Sequence, residues 1–186
     1  KKLANVYYEG LTEGDLAYIQ VSEQEIERLY EKYYLANKLV NELTKEVDLE
    51  ISDSEAKVID IQQIVLDSPE TAEQVYSQVT AEGADFEDIA KQNSVSQEIK
   101  RTLGRGQETK NYEDAAFALE TNQISAPVES DGSYYIIKCI NSYNEEETLK
   151  RKNELSLTKK DQAFRSIYDE FQKANPVRLP EPILTT

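Results

Sequence analysis

The chain has 186 residues, of which 36 are acidic and 21 are basic, so its formal net charge is −15. It contains no His and one Cys, which excludes His-based catalysis, His-ligated metals and an internal disulfide framework. The negative charge argues against nucleic acid and anionic membranes as partners, because their phosphates would be repelled. We therefore expect no nucleic-acid partner, no metal and no other cofactor.

The N-terminal segment, residues 1–55, is predicted to be helical. Its first 20 residues give weak signals, and Ser22 and Glu25 then form a capping box that marks a helix start. Apolar residues recur at helical spacing from there to Val47, which predicts a helix of roughly 25 residues, longer than average. Its apolar stripe must be buried against something, either within this protein or in a client-binding groove.

The middle segment, residues 56–146, mixes strand and helix patterns in the order β-α-α-loop-α-β-β, which predicts an α+β domain. β-branched residues mark the first strand, while an N-cap followed by Pro marks the first helix. The predicted elements are the strand Lys57–Leu66, a helix from Ser68 to Glu82 that stops at Gly83, a short helix capped by Asp85, an irregular stretch at 93–111, a helix at Tyr112–Leu119, an extended segment at Ile124–Val128, a turn at Asp131-Gly132 and a central strand at Tyr134–Ile140.

The C-terminal segment, residues 147–186, is predicted to form a long charged helix over 147–174. Three prolines, at 176, 180 and 182, then end it in an extended tail. The sequence shows neither an apolar run long enough to span a membrane nor the apolar core of a signal peptide. We interpret the chain as a mature or trimmed fragment, which leaves room for a targeting segment upstream.

Six short motifs of the middle segment follow one another over roughly residues 56–141. They are Gln63–Leu66, Gly83–Phe86 with Ala90 and Ser94, Leu103–Gln107, Tyr112–Leu119, Ile124–Val128 and Ser133–Lys138. Each motif is weak alone, but their order and spacing resemble the parvulin family of peptidyl-prolyl isomerases. The resemblance implies an antiparallel sheet surrounded by helices, and an enzyme that rotates X-Pro bonds.

The helical flanks extend this resemblance, because a parvulin-like domain between helices looks like the PrsA/SurA-type extracytoplasmic foldases. That resemblance implies that residues 1–55 and 147–186 join into one chaperone-like helical lobe. It also implies unfolded or proline-containing polypeptide clients, an extracytoplasmic location and a lipid anchor upstream of this chain. A homodimer formed through the helices is left open.

The resemblance further implies where an isomerase site would lie. Active parvulins use two facing His side chains, hydrogen-bonded with a Cys or Asp. In this chain the two His positions hold Gln63 and Tyr135, and the Cys/Asp position holds Ser96, with Ser94 as the alternative. These side chains either form a neutral hydrogen-bond network or are ordinary polar residues on facing strands.

The proline pocket of the family also changes here. Its Leu is retained as Leu103, its Met position holds Glu108 and its Phe position holds Tyr112, with Phe117 nearby. An unpaired carboxylate is costly to bury, so we expect Glu108 to face solvent or to pair, with Arg105 as the candidate partner. Tyr112 and Phe117 also suit a plain core role.

Three functions stay open at this point. The first is a foldase that mainly binds unfolded chains, with weak or absent isomerase activity. The second is an active isomerase that uses Gln63, Ser96 and Tyr135. The third is a non-catalytic module for docking or dimerisation.

Overall fold

The computed structural model describes residues 1–176, so the predicted tail beyond Pro176 lies outside the described residues. The chain divides into two compact units. One unit contains residues 50–158, and we call it the sheet unit. The other, the helical unit, contains residues 1–49 together with residues 159–176 of the described chain.

The N-terminal part of the helical unit holds three helices. They are α1 (Lys2–Glu9), α2 (Glu13–Ile19) and α3 (Glu23–Leu43). The predicted capping box of Ser22 and Glu25 is confirmed at the start of α3. A second box, between Thr12 and Asp15, begins α2; the sequence analysis missed it. Helix α3 ends at Leu43, so the predicted helix extended too far.

The sheet unit contains four strands and four shorter helices. They are α4 (Asp53–Ala56), β1 (Val58–Leu66), α5 (Pro69–Val79), α6 (Phe86–Asn93), β2 (Lys100–Gly104), α7 (Lys110–Phe117), β3 (Val128–Ser130) and β4 (Ser133–Asn141). A final helix, α8 (Glu145–Ala174), contains residues of both units.

The strands form one antiparallel sheet in the order β2-β1-β4-β3, which confirms the predicted α+β class. The predicted turn joins β3 to β4, where Asp131 and Gly132 have φ angles of 49° and 79°. Two consecutive positive φ angles are what a tight hairpin requires, and they explain why Asp-Gly occupies this turn. Strand β4 lies between β1 and β3, a central position as predicted.

Local predictions were also wrong at the end of α5 and at β2. Helix α5 ends at Val79, before Gly83, and the Thr80 hydroxyl there donates a 2.7 Å hydrogen bond to the Tyr76 carbonyl. Strand β2 lies within the stretch predicted to be irregular. Its Lys-Arg-Thr-Leu-Gly sequence lacks β-branched and aromatic enrichment, and its pairing with β1 supplies the order that local pattern does not.

Side chains alternate between the two faces of the sheet, and each face has its own core. Helices α5 and α6 cover one face. Its buried residues are Ile64, Leu66, Ala72, Val75, Val79, Phe86, Ala90 and Ile136. Helix α7 covers the other face, where the buried residues are Ile59, Ile61, Leu103, Tyr112, Ala116, Phe117 and Ile137. The candidate site residues Gln63 and Tyr112 belong to this second face.

Candidate functional site

A buried hydrogen bond joins β1 to α7 at the centre of the candidate site. The Tyr112 hydroxyl donates to Gln63 Oε1 at 2.6 Å, and both residues are buried. Gln63 Nε2 donates to the Glu98 carbonyl at 3.0 Å, so both ends of the amide are engaged. Burial raises the pKa of Tyr112 above its ordinary value of 10.0, which keeps the hydroxyl protonated and able to donate.

Tyr135 on β4 lies beside this pair and is half-buried. Its ring meets the Tyr112 ring edge to face, with centroids 5.1 Å apart and planes at 88°. This geometry is favourable for two aromatic rings. Tyr135 is therefore linked to Gln63 through Tyr112, which the sequence analysis had placed in the pocket instead of the polar network.

The two candidate serines stabilise the turn after α6. Ser94 Oγ accepts hydrogen bonds from the backbone N–H groups of Val65, at 3.1 Å, and Ser96, at 3.2 Å. Ser96 Oγ accepts one from the Glu98 N–H at 3.1 Å. Within residues 1–176, no side-chain hydrogen bond joins Ser96 to Gln63 or Tyr135. A catalytic role for these three residues stays a prediction.

Three of the four predicted pocket residues, Leu103, Tyr112 and Phe117, form the closed floor of the predicted proline pocket. Leu103 and Tyr112 are fully buried, and Phe117 is 9% exposed. The Arg105 guanidinium lies 4.3 Å from the centroid of the Phe117 ring, a cation–π distance, and covers that ring. In this arrangement the three side chains pack against the sheet and offer little apolar surface to a bound ring.

An ion pair lies close enough to Tyr112 to act electrostatically on its hydroxyl. Glu108 Oε1 accepts from Arg101 Nη1 at 2.6 Å, and the two side chains are 27% and 22% exposed. The expected partner of Glu108 was Arg105, and this expectation was wrong because Arg105 covers Phe117. Arg101 reaches Glu108 because it lies on β2 opposite Ile61, whose side chain belongs to the core under α7.

The sequence analysis also missed Glu113, which fixes the loop before α7. Its buried carboxylate accepts hydrogen bonds from the backbone N–H groups of Gln107, at 2.8 Å, and Glu108, at 3.0 Å. The available signal was a carboxylate within the first turns of a helix, where backbone N–H groups and the helix dipole favour negative charge. A second signal in the sequence was Thr109, the residue that caps the start of that helix.

Comparison with known proteins shows which family this part of the chain resembles. The family model for the rotamase domain, described as the PPIC-type PPIASE domain, matches residues 65–141. Residues 65–141 therefore match a parvulin-type isomerase domain. Strands β2 to β4, helices α5 to α7 and six of the seven predicted site residues lie within the matched range. The seventh, Gln63, precedes it by two residues.

The helical flanks of the parvulin domain also have relatives. The foldase protein PrsA of Caldanaerobacter subterraneus subsp. tengcongensis is 29% identical over 206 residues, which cover 89% of this chain and 65% of that protein. The foldase protein PrsA of a Geobacillus species is 31% identical over 136 residues, covering 68% of this chain and 49% of that protein. The chain is thus similar to PrsA foldases and spans about half to two thirds of the length of these two relatives.

A solved structure shows the same fold around the parvulin domain. The peptidylprolyl isomerase (PrsA) of Bacillus cereus superposes with a TM-score of 0.54 at 23% identity, over 97% of this chain and 75% of that one. At this identity the likeness concerns the fold alone. Among the described helices, including the long α8, none is apolar enough over a sufficient length to cross a membrane.

Proposed function

We propose that this chain is a foldase that binds unfolded segments of secreted polypeptides, with a parvulin domain whose isomerase activity is weak or absent. The observation that carries the proposal is the buried hydrogen bond between Tyr112 and Gln63. It occupies the place where the resemblance implies a catalytic polar network. Both partners are already satisfied there, so neither presents a free polar group to a client.

The chemistry of X-Pro rotation explains why that matters. The barrier is about 18–20 kcal/mol, and a catalyst lowers it by stabilising the twisted amide better than the planar one. Doing so requires polar groups aimed at the amide and a pocket that holds the proline ring. Here the amide of Gln63 donates to Glu98 and accepts from Tyr112. Opening this arrangement for a client would leave buried polar atoms unpaired, at a cost of about 1–3 kcal/mol each.

The closed pocket floor supports the same proposal. A proline ring gains affinity by burying apolar surface, and Leu103 and Tyr112 have almost none exposed. The neighbouring pair of Arg101 and Glu108 would have to be desolvated by any ring placed on it. A client segment would therefore bind here more weakly than in a pocket lined by apolar side chains.

Exchange spectroscopy of a short X-Pro peptide tests the catalytic half of the proposal. We expect the wild-type chain to leave cis/trans exchange near the uncatalysed rate for several residues before Pro. A variant carrying Gln63→His, Glu108→Met, Tyr112→Phe and Tyr135→His should be faster than the wild type. Strong catalysis by the wild type that is lost in Tyr135→Ala would instead favour an active site of Gln63, Ser96 and Tyr135.

The client-binding half of the proposal rests on the helical unit. Large apolar side chains on α1 and α3 are more than half exposed there: Leu3, Val6, Leu29, Tyr33, Tyr34, Leu35 and Leu39. A groove of about 410 Å³ runs between these helices and is lined by Leu3, Tyr30, Tyr33 and Tyr34, among others. Exposed apolar surface on this scale is typical of interaction sites. Tyrosines add amphipathic contact area for varied sequences.

Suppression of aggregation tests this half. An unfolded client diluted from denaturant should aggregate less when the chain is present in several-fold excess. Unchanged aggregation would contradict client binding and would favour the alternative of a docking or dimerisation module. Light scattering over a concentration series would then separate a homodimer from a monomer that needs a different partner.

The location of the chain is part of the proposal. Its support is the similarity to PrsA foldases together with the sequence resemblance to extracytoplasmic folding factors. We propose that the full-length protein acts outside the cytoplasm and is held by a lipid anchor upstream of this chain. Fractionation of cells that produce the full-length protein should find it in the envelope, and recovery in the cytosolic fraction would contradict this.

A further inference from the structure

Arg151 on α8 lies outside the matched parvulin residues and packs directly on the backbone of Gly104. A Cβ atom built on Gly104 would lie 2.8 Å from Cζ, Nε and Nη1 of Arg151. Gly104 has no left-handed φ angle, so the close approach of the guanidinium, and not the backbone conformation, favours glycine here. Arg151 Nη2 also donates to the carbonyl of the next residue, Arg105.

The backbone that Arg151 contacts begins the loop that carries Glu108. We call residues 104–109 the site loop. Inside the loop, the Gly104 N–H donates to Gln107 Oε1 at 2.8 Å. Farther along, Glu113 accepts from the Gln107 and Glu108 N–H groups, and Glu108 pairs with Arg101. Arg151 is the contact in this set that comes from α8.

The beginning of α8 is itself fixed on the sheet, and this places Arg151. The backbone N–H of Asn144 donates to the Val58 carbonyl at 2.8 Å, and the Val58 N–H donates to Thr148 Oγ1 at 3.0 Å. Thr148 is buried and precedes Arg151 by three residues, one turn of the helix. The side chain of Asn144 also donates to the Asp60 carboxylate.

Arg151 is held by its contact with Gly104 and its hydrogen bond to the Arg105 carbonyl, and within residues 1–176 it forms no ion pair. Its Nε atom is buried and has no hydrogen-bond partner within the described chain. Glu147 and Glu154, one turn away on either side, line the same small cavity of about 130 Å³. A buried N–H without an acceptor is unfavourable, so the guanidinium occupies this place because of its contacts with Gly104 and Arg105.

We infer that Arg151 is a positioning residue of the parvulin site, acting through the site loop. It fixes the loop at Gly104 and Arg105, and the loop in turn presents Glu108 to Arg101 beside Tyr112. A change in α8 at Arg151 is thereby transmitted to the edge of the site without any contact to a client. The effect on client binding rests on the function proposed above, whereas the effect on the loop does not.

Four variants of the whole chain test this inference: Arg151→Ala, Gly104→Ala, the double variant and Lys152→Ala. Lys152 is the matched control, because it follows Arg151 on α8 and pairs with Asp53 instead of the loop. The first measurement is the amide chemical shift of Gln107 and Glu108. We expect Arg151→Ala to move both signals and Lys152→Ala to leave them in place.

The double variant separates positioning from a general effect on stability. Gly104→Ala should displace the guanidinium, so adding it to Arg151→Ala should change the loop signals little further. Additive changes would contradict the inference, and so would an Arg151→Ala variant whose loop signals do not move although its melting temperature falls. Gly104→Ala adds no strain at its φ angle, and if it still fails to fold, the comparison of Arg151→Ala with Lys152→Ala decides alone.

Titration of a proline-containing peptide supplies the second measurement. If the wild type binds it at the parvulin domain, Arg151→Ala should weaken binding by about 2- to 10-fold, the scale of long-range coupling in proteins, because the loop must then be ordered on binding. Equal affinities would overturn the link from loop to site. If the wild type does not bind the peptide at the parvulin domain, that result agrees with the weak or absent isomerase site proposed above, and the loop signals alone decide the role of Arg151.

Discussion

The two units of the chain bury their apolar residues to very different extents. Within the described part of the helical unit, the buried residues are Ala4, Ile26 and Thr44. The sheet unit contains both apolar cores, one on each face of its sheet. Large side chains such as Leu29 and Tyr33 on α3 remain 64% and 69% exposed.

This difference supports the proposal that stability and client binding rest on different parts of the chain. Apolar burial is the main favourable term in folding, so the sheet unit carries the larger share of stability. Surface that is apolar and exposed contributes little to folding but is available to an unfolded partner. The comparison predicts that truncating a buried side chain in the sheet unit lowers stability. A similar substitution on the exposed surface of the helical unit should instead lower client binding.

The largest effect is expected in the core under α7. Ile137→Ala removes a fully buried side chain of β4 from this core, and such truncations cost about 2–5 kcal/mol. Leu35→Ala on α3 is the control, since Leu35 is 62% exposed and surface changes usually stay within about 0.5 kcal/mol. Denaturant unfolding followed by circular dichroism measures both. Equal losses would show that the comparison is wrong.

A smaller loss is expected when the anchor of the site loop is removed. Glu113→Ala leaves the N–H groups of Gln107 and Glu108 without their acceptor, which should lower the free energy of unfolding by about 2–3 kcal/mol. Asp114→Ala, one residue along α7, removes an exposed carboxylate paired with Lys110 and should cost less than about 1 kcal/mol. A Glu113→Ala variant as stable as Asp114→Ala would contradict the anchoring role.

Next in size is Tyr112→Phe, which removes one buried hydroxyl and leaves Gln63 Oε1 unpaired. The free energy of unfolding at neutral pH should fall by about 1–2 kcal/mol. Tyr18→Phe is the control, because Tyr18 is 89% exposed and its loss should be within about 0.5 kcal/mol.

The same variant has a pH signature. Burial raises the pKa of Tyr112 in the folded chain, while in the unfolded chain it ionises near 10.0. The protonated Tyr112 hydroxyl therefore makes its full contribution to the free energy of unfolding below pH 10. This contribution decreases by about 1.4 kcal/mol per pH unit as the pH rises above 10. We expect the wild type to lose stability more steeply than Tyr112→Phe above pH 10. Parallel curves would argue against a buried hydroxyl.

Much of the fold was predictable because its signals are local. The capping box at Ser22, the Ser-Pro helix start at Ser68 and the Asp131-Gly132 turn each rest on neighbouring residues whose backbone requirements are specific. Strand β2 was missed because its Lys-Arg-Thr-Leu-Gly sequence carries no strand pattern of its own. Residues 100–104 form a strand because they pair with β1, and no local sequence pattern indicates this pairing.

The candidate site was predictable in its members but not in its contacts. Gln63 and Tyr112 were both named, but they lie 49 positions apart on a strand and a helix, and spacing along the chain does not show that they meet. Glu108 was assigned the wrong arginine for the same reason. Arg101 reaches it across the fold, while the nearer Arg105 covers Phe117.

The smallest effect on stability, and the sharpest test of the comparison, is expected on α3. Leu29 and Tyr33 line one apolar groove, and the double variant Leu29→Ser/Tyr33→Ser should lower the free energy of unfolding by less than about 1 kcal/mol, mostly through helix propensity. Its suppression of client aggregation should nevertheless fall well below that of the wild type. Lys38→Ser, an exposed change on the same helix, should retain full suppression. Since we expect the double variant to stay folded, lost suppression would assign client binding to this surface, and retained suppression would contradict a role for Leu29 and Tyr33.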